Sequence, residues 1–103
     1  MGTNTIRLDD GRHLGLLHAL PGGQKRYFNL VYVLEATLPH RIVAVGRRAL
    51  ELPYGHVNHG FVYTSSLLRM ADRVIVGYNV NDRTASLAVV PLQSLLVDLE
   101  LVP

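Results

Sequence analysis

The run from Tyr27 to Glu35 constrains this chain more than any other segment. Read as an extended strand, it places Phe28, Leu30, Tyr32 and Leu34 on one side and Tyr27, Asn29, Val31 and Val33 on the other. Both faces are largely apolar, and a strand of that kind needs cover on both sides. It belongs inside a stacked or closed β assembly.

The remaining segments fit such an assembly. Thr5 to Leu8 reads as a short strand closed by Asp9-Asp10-Gly11, a hairpin turn signal, because Asp and Gly tolerate positive φ. His13 to Leu20 is apolar until Pro21-Gly22-Gly23 breaks it, and Arg41 to Val45 follows the connection that contains Pro39. After the turn cluster Leu52-Pro53-Tyr54-Gly55, further strands are predicted over Gly60 to Leu67, Arg73 to Tyr78 and Ala85 to Val90. The β-branched Val74, Ile75 and Val76 make the second of these the firmest. From Leu92 to Leu99 the spacing of Leu95, Leu96, Val97, Leu99 and Leu101 fits a helical turn and a last strand equally.

The expected fold class is therefore all-β, with at least six strands, mainly antiparallel, in two successive sheets. The blade-like units cover about residues 11–50 and 56–91, followed by a short C-terminal segment, 92–103. Three-strand meanders recurring at roughly 45 residues suit propeller blades. A small sandwich or barrel built from the same strands is the competing arrangement.

A length of 103 residues suits one small core. Hydrophobic residues make up 49% and charged ones 17%, a balance that favours a packed globule over disorder. Basic residues are scattered apart from Lys25-Arg26 and Arg47-Arg48, so no basic stripe for nucleic acid is expected. No apolar run approaches the roughly 20 residues that span a bilayer, so neither a membrane nor a nucleic-acid partner is expected. The chain has no cysteine, which removes disulfides and thiolate metal sites and suits a reducing cytoplasm.

The polar motifs supply no catalytic constellation of their own. His56-Val57-Asn58-His59 puts its two histidines on opposite sides of a strand with no evident third ligand, so no metal is expected. Gly22-Gly23-Gln24-Lys25 precedes a strand, whereas a phosphate loop of Walker type opens a helix. Ser65-Ser66 lacks the pattern of a nucleophile elbow.

Three stretches carry a family resemblance. They are Gly11-Arg12-His13-Leu14-Gly15-Leu16-Leu17-His18-Ala19, then Tyr27 through Pro39 with Arg41-Ile42-Val43-Ala44-Val45, and finally Val57-Asn58-His59-Gly60-Phe61 with Val74-Ile75-Val76-Gly77-Tyr78-Asn79-Val80-Asn81-Asp82 and Ala85-Ser86-Leu87-Ala88. Together they resemble the C-terminal blades of the five-bladed β-propellers of glycoside hydrolase family 130, the β-mannoside phosphorylases and their relatives. Similar blades are attached to bacterial glycosyltransferases. Ala19 and Asn79 stand where the family has glycine.

The resemblance implies a carbohydrate-active propeller fragment related to mannoside phosphorylases and glycosidases. Its partners would be an oligosaccharide or glycoside, together with missing blades or further copies of itself. It implies no cofactor beyond inorganic phosphate as co-substrate. Asp82 would face the sugar, His18 would lie near the phosphate or water, and Tyr78 (like Tyr27) is a core or rim aromatic with some prospect of stacking on a sugar. Alternatively Asp82 caps its turn and His18 packs beside Leu16 and Leu20. No acidic residue, including Asp9, Asp10 and Glu35, matches the family's catalytic acid, so no turnover is expected from the chain alone. A small non-enzymatic β binding module is the alternative function, with exposed edges that pair with a partner.

Overall fold

The computed structural model describes residues 2–19, 28–50, 62–80 and 84–103. The described residues are all-β apart from one short helix. Its strands are β1 (Ile6–Arg7), β2 (His13–Ala19), β3 (Phe28–Leu34), β4 (Ile42–Gly46), β5 (Val62–Met70), β6 (Arg73–Val80), β7 (Thr84–Pro91) and β8 (Leu99–Leu101), with helix α1 (Leu92–Leu96) before the last strand. Two antiparallel sheets result. Sheet A has the order β1-β2-β3-β4-β8, and sheet B the order β5-β6-β7.

The expected turn after β1 forms as a tight hairpin. The Leu8 N–H donates to the Arg12 carbonyl at 2.7 Å, the Gly11 N–H donates to Leu8, and Gly11 takes a φ of 90°. Asp10 accepts from the Arg12 backbone N–H at 3.0 Å and from its Nε at 2.6 Å, which holds the Asp10 carboxyl below its ordinary range.

The ambiguous C-terminal run resolves into both alternatives in succession. Leu92 and Leu95 of α1 are buried, and Asp98 then turns the chain at a φ of 61°. β8 crosses back to pair with β4 of sheet A, matching Ala44 to Leu101 and Gly46 to Leu99. The C-terminal segment therefore ties the second unit to the first, a connection that local periodicity cannot foresee.

The core lies between the sheets. Leu14 and Leu16 of β2, Val31 and Val33 of β3 and Ala44 of β4 meet Leu67, Val74, Val76, Tyr78 and Val80 of sheet B, with Ile6, Leu8, Leu92 and Leu95 closing the margins. Alternation selects these residues: Leu14 pairs with Val33 and Leu16 with Val31, so like faces coincide across the ladder.

Candidate functional site

Of the sequence-predicted site residues, His18 and Tyr78 are described, whereas Asp82 lies outside the described residues. So do Tyr27, the His56–His59 motif and the Gly22–Lys25 stretch. His18 and Tyr78 arrive at the same place from different sheets. His18 stands opposite Asn29 in the β2–β3 ladder, and its ring bonds the Thr64 backbone. Thr64 stands opposite Tyr78 in the β5–β6 ladder, and both are buried.

Asn29 completes this seam. Its buried Oδ1 accepts from the Thr64 N–H at 3.0 Å and from the Thr64 hydroxyl at 3.3 Å. The β5–β6 register shifts by one residue between Thr64 and Ser66, next to this contact. Burial pushes the His18 pKa down, while its bond to the Thr64 backbone works in the opposite direction. These polar groups are spent on joining the two sheets. Tyr78 is part of the core rather than of an open surface.

Sequence reasoning missed a second set of side chains. Asn4 pairs with the Leu67 backbone as a strand would: its Nδ2 donates to the carbonyl at 2.9 Å and its Oδ1 accepts from the N–H at 2.8 Å. Arg69 donates to the Arg7 carbonyl at 2.8 Å, to Asp9 Oδ1 at 2.7 Å and to the Ala71 carbonyl at 2.8 Å. The outward edge of β5 is thus capped by side chains. No local signal announces the bonds of Asn4 to Leu67 and of Arg69 to Arg7 and Asp9, because these partners are about 60 residues away in sequence.

Other polar groups are locally occupied. Ser65 donates to the Gly77 carbonyl at 3.2 Å. Arg47 and Arg48 both approach Asp98 at 3.7 Å, beside a cleft of about 190 Å³ that is also lined by Ser94 and Leu95. His13 and His40 meet edge to face with ring centroids 5.3 Å apart. Among the described residues, no three His, Asp or Glu side chains are grouped to hold a metal, and no helix is long and apolar enough to cross a membrane.

The largest unspent feature is the outer face of sheet B. The ladders align Leu68, Ile75 and Val89 in one row across three strands, with Ser66, Gly77 and Leu87 beside them and Met70, Arg73 and Pro91 on the other flank. Leu87 is 74% exposed, Val89 62%, Leu68 58% and Met70 57%. This surface is mainly apolar, it carries a single charged side chain, Arg73, in those three rows, and Met70, Arg73, Ile75 and Val89 line a shallow depression on it. It offers dispersion contact and apolar burial, interrupted by the Ser66 hydroxyl and the Arg73 guanidinium.

No family profile, curated protein or solved structure matches this chain.

Proposed function

We propose that this chain is a non-catalytic β module that works by docking, with the outer face of sheet B as its contact surface and another apolar sheet face as its partner. The row Leu68–Ile75–Val89 carries this reading: it is apolar across all three strands and faces outward. Sheets stack about 10 Å apart through interdigitating apolar faces, so an apolar face that spans three strands suits a second sheet. A patch of exposed Leu, Met and Val of this extent is the ordinary mark of an interaction site.

The resemblance to propeller blades supports the same reading from the sequence side. Blades pack face to face, and a chain carrying two of them presents such a face to the next. In that setting the completed assembly, rather than this chain, would act on an oligosaccharide or glycoside, with phosphate or water as acceptor. His18 would have to exchange its Thr64 bond to serve a phosphate there.

Because the chain lacks cysteine, a single Leu68→Cys substitution gives a clean reporter. Docking predicts slow reaction with a membrane-permeant thiol reagent inside the producing cells and fast reaction after purification and dilution. Equally fast reaction in both settings contradicts the proposal.

A further inference from the structure

We infer that β7 is a strand-pairing edge and that its occupant is β7 of a second copy of this chain, antiparallel across a two-fold axis. The two sheets B would then form one six-stranded sheet. The inference rests on the docking reading above in taking sheet B as the working surface, and it adds the edge and the partner.

The sheet edges are not treated alike. β1 is two residues long, and Arg69 takes the Arg7 carbonyl. β8 is three residues long and carries Glu100. β5 is long, but Asn4 and Asn29 supply side-chain partners for the Leu67 and Thr64 backbone. Short length, charge and cover are the usual devices that keep an edge from pairing.

β7 lacks them from Thr84 to Val90, and only Pro91, at its C-terminal end, is a residue that blunts an edge. It runs eight residues, Thr-Ala-Ser-Leu-Ala-Val-Val-Pro, without a charge. All eight pair with β6, and among the described residues no strand occupies the opposite side. An unprotected edge of about 27 Å, at roughly 3.4 Å per residue, leaves a row of backbone donors and acceptors for an incoming strand.

The absence of charge also selects the partner. In an antiparallel pair about a dyad, each strand faces its own sequence, so any central charge would oppose its own copy. Ser86, Leu87, Ala88 and Val89, at the strand centre, carry none. Pairing there would also bring Leu87 and Val89 of both copies together, making one apolar face from two.

Sedimentation from micromolar to hundreds of micromolar chain, with hydrogen exchange along β7, tests the inference. We expect a concentration-dependent dimer in which β7 amides gain protection on association. Leu87→Lys, at an exposed position, should weaken it by roughly tenfold or more through like-charge opposition. Leu68→Lys, on the same face but two strands from the edge, should leave it unchanged. A monomer throughout overturns the inference while leaving docking to another sheet intact. A dimer weakened equally by both substitutions moves the contact to the face, which overturns the edge and sustains the docking reading. A dimer indifferent to both substitutions, with β7 amides unprotected, overturns the edge and the face together.

Discussion

Sheet B has two faces built from the same strands and nearly the same residue types, yet only one is covered. Inward, Leu67, Val76 and Ala88 align across the three strands against sheet A. Outward, one residue along, Leu68, Ile75 and Val89 align just as regularly, with Leu68 and Val89 open to solvent. Apolar alternation alone does not decide which face a sheet buries. At one edge, Asn29 and Arg69 join β5 to sheet A, and Asn4 joins it to the segment before β1.

The comparison breaks first on the core side. Leu67→Ala should lower stability by about 2–5 kcal/mol in urea unfolding, the range for a buried leucine that leaves a cavity. A loss no larger than that of Leu68→Ala would show that the inward row is not the core. Next comes the seam. Asn29→Ala leaves the buried Thr64 N–H and hydroxyl without their shared acceptor and should cost about 1–3 kcal/mol. Asn4→Ala, at a partly exposed site, should cost less. The reverse order would place the fastening at the N-terminal segment instead.

A further effect is read by titration. Burial holds the folded His18 pKa below the ordinary imidazole value of about 6.5, so the unfolded chain takes up the proton more readily. Its contribution to stability is complete above that value and is lost as pH falls toward the depressed folded pKa. Unfolding midpoints should therefore drop as pH is lowered from neutrality, and His18→Gln should reduce that slope. An unchanged slope would remove His18 from the seam. Smallest of all, Leu68→Ala and Leu87→Ser should change monomer stability by no more than about 0.5 kcal/mol, as exposed positions do. A larger cost would mean that the outer face is already covered within the chain.

How far the fold was legible follows from how local each signal is. The Asp9-Asp10-Gly11 turn and the three-strand order of both units rest on neighbours in sequence, and the ladders follow them closely. β5 runs on to Met70, beyond the expected Leu67, because Arg69 and Met70 pair with Val74 and Arg73. The split of the last segment into α1 and β8 depends on β4, some 55 residues earlier, and periodicity could not reveal it. The site was less legible still. His18 and Tyr78 were singled out individually, but their meeting at Thr64 depends on the packing of two sheets. Asn4 and Arg69 gave no signal, since an amide that imitates a strand looks like any polar residue until its partner is placed. The outer face of sheet B lay hidden for the opposite reason: Leu68, Leu87 and Val89 look like core.

The most direct measurement compares thiol reaction rates at two adjacent positions of this cysteine-free chain, Leu67→Cys and Leu68→Cys, in dilute purified protein. A buried position reacts only through unfolding, so the account predicts reaction at 67 at least about a hundredfold slower than at 68, given ordinary domain stability. Comparable rates at the two positions, or a faster reaction at 67, would contradict the assignment of one covered face and one docking face.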